Sequence, residues 1–182
     1  MGLTKKQIKE FLRASYKPKT KIKHNLYDEH LSGKRVSVYV NPNTGKATVI
    51  HRGTASLTDW VKTDLPMAFG YEGGKRFKHA KKIQKAAEKK YGAKNVTTMG
   101  HSLGGRIAEK VGKKSHAIIT YNKAATPKSI QTATPKKQLD IRTSRDLVSD
   151  LSKFQKHKTK MKTIQSKSFN PITTHSPDAL TK

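Results

Sequence analysis

Asn95-Val96-Thr97-Thr98-Met99-Gly100-His101-Ser102-Leu103-Gly104-Gly105 is the longest stretch of this 182-residue chain without Lys, Arg, Asp or Glu. Asn95 to Met99 has strand character, and a short helical run follows to Val111, where Gly112 closes it. Between them stands G-x-S-x-G, the pattern of a sharp strand-to-helix bend. At so tight a bend, side chains at the flanking positions collide with neighbouring backbone. Gly100 and Gly104 therefore leave room while Ser102 is held up. Taken alone, the pentapeptide is also readable as a glycine-rich turn with no chemical role.

The residues further on favour a chemical reading. A serine hydroxyl needs a base to take its proton and an acid to orient that base, and on this kind of bend the chain order is Ser, then Asp or Glu, then His. Past Ser102 the acids are Glu109, Asp140, Asp146, Asp150 and Asp178; past Asp146 the histidines are His157 and His175. Asp146 follows the weak strand Leu139–Arg142 by a short loop, at the carboxyl end where sheet-edge chemistry is found. Asp150 is its reserve. His157 lies in the Lys-rich stretch and reads as solvated, whereas His175 sits in the loop 171–177, outside regular structure. His101 is expected to point away from the serine and to serve packing or hydrogen bonding.

Around this centre, helix and strand alternate. A capping-box start at Thr4 and Gln7 opens a helix from Lys5 to about Ser15, with Ile8, Phe11 and Leu12 on one face. Val36, Val38 and Val40 alternate, 41–45 turns, and Ala47–His51 returns, which predicts an antiparallel hairpin. Lys75–Tyr91 predicts a helix stopped by Gly92, and Ala117–Tyr121 a strand. The expected fold class is α/β, a mostly parallel sheet flanked by helices with an antiparallel N-terminal hairpin. One domain is expected over 1–182, with a helix and basic lead-in over 1–30 and a basic segment over 153–170. Lys153–Lys167 holds six Lys and no acid, so it is expected to be solvated and mobile.

Upstream of the bend, His51-Arg52-Gly53-Thr54-Ala55-Ser56-Leu57-Thr58-Asp59-Trp60, completed by Asp64-Leu65, resembles the R-G-T/S, S-x-x-D-W and D-L pattern of class 3, fungal-type lipases. With Gly100–Gly105 this makes two separated motifs in the family's order, and the resemblance runs from about Val36 to His175. It implies a small α/β-hydrolase that cleaves lipid esters. It also implies a Ser102, Asp146 and His175 triad, with an oxyanion hole from the backbone N–H groups of Thr54 and Leu103. Arg52, Asp59 and Trp60 match positions that look structural. The chain departs from the family at His51, where an aromatic is usual, and at Asn122, where Gly is usual. The separation from Ser102 to Asp146 is short for the family. The segment between Asp64 and Phe77 is too short, with only Leu65, Met67, Phe69 and Tyr71 as large apolar side chains, to predict a swinging amphipathic lid.

Composition sets the outer limits. With 39 Lys+Arg against 12 Asp+Glu the formal charge is +27, and hydrophobic residues are 33% of the chain, so the core is modest. The absence of Cys removes disulfides, zinc ribbons and thiol nucleophiles. No pattern for a metal or other cofactor is present, and none is expected. The opening Met1–Lys6 has no apolar stretch behind its charges and Lys6 breaks the myristoylation pattern, so an intracellular or particle-packaged protein, as in a virion, is expected.

A surface this basic suits an anionic membrane as the setting of a lipid or ester substrate. Nucleic acid is expected to bind only through non-specific charge, since there is no RNP-like pattern, finger or heptad. The alternative function is a catalytically inactive basic protein, associated with nucleic acid or a virion, on the same scaffold.

Overall fold

The computed structural model describes residues 3–54, 74–159 and 161–181. The upstream motif beyond Thr54, including Asp59, Trp60 and Asp64-Leu65, and the expected lid-poor segment up to Tyr71 lie outside the described residues. Along the chain run α1 (Lys5–Ala14), β1 (Leu26–Tyr27), β2 (Val36–Val40), β3 (Ala47–His51), α2 (Lys75–Tyr91), β4 (Val96–His101), α3 (Leu103–Val111), β5 (Ala117–Tyr121), α4 (Pro127–Ile130), β6 (Gln138–Thr143), β7 (Lys162–Ile164) and α5 (Pro171–His175). Short 3₁₀ turns at Ala93–Asn95, Asp150–Phe154 and Pro177–Thr181 join them.

The seven strands form one sheet in sequential order, β1 to β7. β1, β2 and β3 pair antiparallel, and every pairing from β3 onward is parallel. Parallel neighbours need a crossover, and the right-handed rule sends successive crossovers in one direction to the same face. That face carries α2, whose Ala87 packs with Val36, Val38, Val49 and Val96, and α3, whose Leu103 and Ile107 pack with Ala80 and Ala124. The opposite face is left to α1, whose Ile8, Phe11 and Leu12 join Tyr39, Ile50, Met99, Tyr121 and Leu180 in the largest core cluster. Burying each of those three α1 side chains is worth about 1.5–3 kcal/mol, which is what holds this lysine-rich helix to the sheet. Its start is fixed by the expected capping box: Thr4 Oγ1 accepts from Gln7 N–H while Gln7 Oε1 accepts from Thr4 N–H at 2.9 Å.

Register decides where the chemistry falls. His51 pairs with Gly100, His101 with Tyr121, Tyr121 with Ile141 and Thr143 with Ile164, so the carboxyl ends of five strands line one edge.

Two expectations are corrected here. The Lys153–Lys167 stretch is not a free basic segment: Lys162–Ile164 adds a seventh strand and buries Ile164. Three residues with a single apolar side chain give no readable period, so only pairing with β6 reveals it. His157 is likewise not solvated; its Nδ1 lies 2.9 Å from Asp140 Oδ2 and its Nε2 donates to Ser152 O at 2.8 Å. The hydrogen bond to Asp140, against burial and helped by the Ser152 bond, raises its pKa.

Under the α3 face lies a buried charge network. Lys123 Nζ sits 2.5 Å from Glu109 and 3.2 Å from Asp140, and donates to Gln155 Oε1 at 2.8 Å. Glu109 also pairs with Arg106. Burial pushes the Asp140 carboxyl up, but His157, Lys123, Thr120 and Gln138 outweigh it and hold it at about 2. Glu109 and Asp140, both acids downstream of Ser102, are therefore committed to folding chemistry.

Candidate active site

Ser102 stands between β4 and α3 at φ 56° and ψ −128°, a conformation that L residues rarely adopt. The two flanking glycines make the bend possible. A Cβ on Gly100 would run into the Gly104 carbonyl, and one on Gly104 into the carbonyl of His51 on the neighbouring strand. Ser102 itself is tied at both backbone ends: its N–H donates to Tyr121 O at 3.1 Å, and its carbonyl accepts from Gly105 N–H at 2.9 Å and Ala124 N–H at 3.1 Å. Leu103 takes the first position of α3, where the helix itself does not use the backbone N–H.

The loop after β3 comes against this bend from the side. A Cβ at Gly53 would meet the Tyr16 hydroxyl at 2.6 Å and Ser102 Cβ at 3.1 Å, so only glycine lets Thr54 follow so close behind. Arg76, from the first turn of α2, donates to the carbonyls of Arg52 and of Gly53, the latter at 2.9 Å. Burial, then the charges of Arg35 and Arg52, lower its pKa to about 10, still high enough to keep it cationic near neutrality.

Asp146 lies in the turn after β6, buried, as is His175. His175 Nδ1 is 2.8 Å from Asp146 Oδ1. A carboxylate oxygen can only accept there, so Nδ1 carries a proton and Nε2 is the ring nitrogen left to exchange one. The other carboxylate oxygen, Oδ2, accepts from Ser149 N–H at 3.2 Å and Ser149 Oγ at 2.5 Å. His175 is not in a loop, as the sequence suggested, but is the last residue of the five-residue α5. Asn170 caps that helix by accepting from the Ile172 and Thr173 N–H groups, and Pro171 fills its first position. Asp150, the reserve acid, is instead paired with Arg142 at 2.9 Å and Lys153 at 3.0 Å.

Two further residues hold His175. His101 Nε2 lies 2.7 Å from His175 O, its Nδ1 is 2.7 Å from the Tyr16 hydroxyl, and its ring centroid is 4.6 Å from that of His175. Burial first, and the His175 charge second, push its pKa well below the usual histidine value, so the ring is neutral. Asn122, at a left-handed φ of 44°, donates to Thr174 O at 3.0 Å and His175 O at 3.1 Å, and accepts from Thr143 N–H at 2.7 Å. Tyr16, Asn122, Arg76 and Ser149 carry no local sequence signal for these roles. Asn122 alone was marked, as a departure from the class 3 pattern.

Beside Tyr16 a cavity of about 980 Å³ opens between α1 and the residues after His175. Lys6, Lys9, Arg13 and Lys17 line one wall and Ser176 to Asp178 the other. Among the described residues, no three His, Asp or Glu side chains are grouped to hold a metal ion.

A mostly parallel sheet with a strained serine at a strand-to-helix bend defines an α/β-hydrolase. A solved structure, a predicted CIB-like hydrolase from Thermoplasma acidophilum, has a similar fold: TM-score 0.50 at 17% identity, over 85% of this chain and 91% of that one. At that identity the likeness speaks for the fold alone. The chain belongs to the Tle-like phospholipase domain family, described as phospholipase-like, whose model matches residues 9–174. The relationship is therefore to a phospholipase-like hydrolase family and not specifically to the class 3 lipases. No curated protein matches the chain.

Proposed function

We propose that this chain is a serine acyl hydrolase that cleaves carboxylic ester bonds of phospholipids through Ser102, Asp146 and His175. The reading is carried by one observation: a buried imidazole fixed by a carboxylate at 2.8 Å, in ring contact with the residue that precedes the elbow serine. The phospholipase-like family supports the choice of substrate. Since Asp146 holds the Nδ1 proton, Nε2 of His175 is the basic nitrogen that takes the proton of Ser102 Oγ as that oxygen attacks the ester carbonyl.

The tetrahedral oxyanion is held by the backbone N–H groups of Thr54 and Leu103, each worth about 3–4 kcal/mol in such sites. The intermediate collapses, the C–O bond to the leaving alcohol breaks, and His175 returns its proton to that alcohol. Water, deprotonated by the same nitrogen, then releases the carboxylic acid and restores Ser102. No cofactor enters these steps. The +27 charge and the lysine-lined cavity support an anionic membrane as the place where the substrate is met.

The test is release of fatty acid from phospholipid and of p-nitrophenol from short esters by purified protein. Both are expected to vanish in Ser102→Ala. Turnover that survives the substitution overturns the reading, and salt-sensitive DNA binding without any turnover favours the inactive binding protein instead.

A further inference from the structure

Among the described residues six large apolar side chains are exposed, and five of them fall between residues 147 and 172. Leu147 is 74% exposed, Phe154 65%, Phe169 79% and Ile172 48%, with Leu151 at 38%. They are not scattered over the molecule. Leu147 follows Asp146 directly, Asp150 N–H returns to Leu147 O at 3.4 Å, and Ile172 lies on the helix that ends in His175. Phe169 is brought to the same place by Arg145, whose guanidinium stacks 3.9 Å above its ring and whose carbonyl accepts from Thr174 Oγ1 at 3.4 Å. Leu147, Phe169 and Ile172 thus flank the two buried members of the proposed triad.

Isolated exposed leucines need no explanation, but exposed apolar side chains gathered beside one buried pair do. The cations among them narrow the choice of partner. Arg145 covers Phe169, and Lys153 Nζ lies 5.0 Å from the Phe154 ring centroid, so each exposed aromatic carries a positive charge on its face. A flat ring with a cation beside it matches the boundary of an anionic bilayer, where rings sit at headgroup depth and cations meet phosphates. An apolar protein partner would bring no counter-charge to Arg145, whereas Lys153 already pairs with Asp150 at 3.0 Å.

We infer that the Leu147–Phe154 turn and the Phe169–Ile172 segment form the surface by which this protein inserts into an anionic phospholipid bilayer, with the Asp146–His175 pair held directly behind it. The inference rests on the phospholipase reading for its purpose, but the surface can be tested without turnover. In a Ser102→Ala background the vesicles stay intact, and cosedimentation with phosphatidylglycerol–phosphatidylcholine vesicles measures binding alone.

The intact surface is expected to bind, and to retain part of that binding in high salt, where charge attraction is screened. Adding Phe154→Ser and Phe169→Ser is expected to lower partitioning by about tenfold or more and to remove the salt-resistant part, since two buried aromatic side chains are lost from the interface. With Ser102 restored, the same pair of substitutions should leave hydrolysis of a soluble short ester unchanged. Equal vesicle binding by the two proteins overturns the inference, because the overall charge then suffices. A dimer in sedimentation that the substitutions dissolve, without vesicle binding, also overturns it and gives the surface to a second copy of the chain. If the surface binds but no ester is cleaved, the phospholipase reading fails while this one stands.

Discussion

His101 donates from Nε2 to the carbonyl oxygen of His175 at 2.7 Å, so the residue before the elbow serine holds the backbone of a residue 74 positions further on. A carbonyl can only accept, which places the ring proton on Nε2 and leaves Nδ1 to accept from Tyr16 at 2.7 Å. α1, the elbow and the C-terminal helix are thereby joined through one neutral ring. His101→Phe keeps a ring but removes both bonds. The His175 carbonyl keeps Asn122 at 3.1 Å, so the loss is that of the two His101 bonds, about 1–3 kcal/mol together, and where this displaces the base, kcat falls by about tenfold to a hundredfold with little change in KM. Tyr16→Phe is expected to move kcat in the same direction by less. Steady-state kinetics on a soluble ester checks both; unchanged kcat in His101→Phe would show that the bond positions nothing.

Asp146→Asn keeps the shape of the acid and reverses its hydrogen-bonding sense. The amide can donate to Nδ1, which frees the other tautomer and moves the proton to Nε2, where it blocks the base. A loss in kcat of about 10⁴-fold is the precedent for such a change, with the protein still folded. Circular dichroism alongside kinetics separates this from unfolding, and near-normal turnover would remove Asp146 from the mechanism.

Asn122 occupies a left-handed position that glycine would adopt more readily, yet its amide clamps Thr174 and His175. Asn122→Gly should relieve backbone strain and still lower kcat, whereas Asn122→Asp, which keeps only the acceptor toward Thr143 N–H, should do no better. A glycine variant with full kcat would show that the clamp is dispensable.

Stability toward acid is expected to fall in two steps. His51 is buried against Gln84, and burial lowers its pKa from 6.5 to about 4. Its folded pKa lies below its unfolded one, so its contribution is complete above pH 6.5 and is lost as pH falls toward 4, on the order of 3 kcal/mol. Asp140, held at about 2 against an ordinary 3.8, keeps its contribution above pH 4 and loses it as pH falls toward 2. His51→Phe removes the first titration, at a cost of about 1 kcal/mol for the Gln84 bond. Urea unfolding at pH 7.5 and pH 5 should show a smaller pH difference in the variant than in the parent; an equal difference would place the titration elsewhere.

Lys123→Met leaves Glu109 and Asp140 buried with one cation fewer. Breaking a buried pair from one side costs about 3–5 kcal/mol, measurable as a lower urea midpoint. A variant as stable as the parent would show that Arg106 and His157 suffice.

The strand-to-helix bend, the β2–β3 hairpin, α2 and β5 were legible because glycine placement and apolar period are local properties. Ser102, Asp146 and His175 could be proposed together because so few acids and histidines follow the serine, and the structure pairs the last two. β7, the Asp140–His157 pair, the Tyr16–His101 bond and the Arg76 grip on the Arg52 and Gly53 carbonyls were not legible. Each depends on a partner distant in sequence, and a lysine, tyrosine or arginine in a basic chain looks the same whether it is paired or solvated. The class 3 resemblance rested on segments that largely follow Thr54, and the family to which the chain belongs is the Tle-like phospholipase domain.

The most direct measurement is the site of covalent modification by a fluorophosphonate, which reports a serine activated by a neighbouring base. The account predicts one adduct, on the peptide that carries Ser102, lost on prior denaturation and in His175→Ala. An unmodified Ser102 peptide in native protein, or an adduct on another serine, would contradict it.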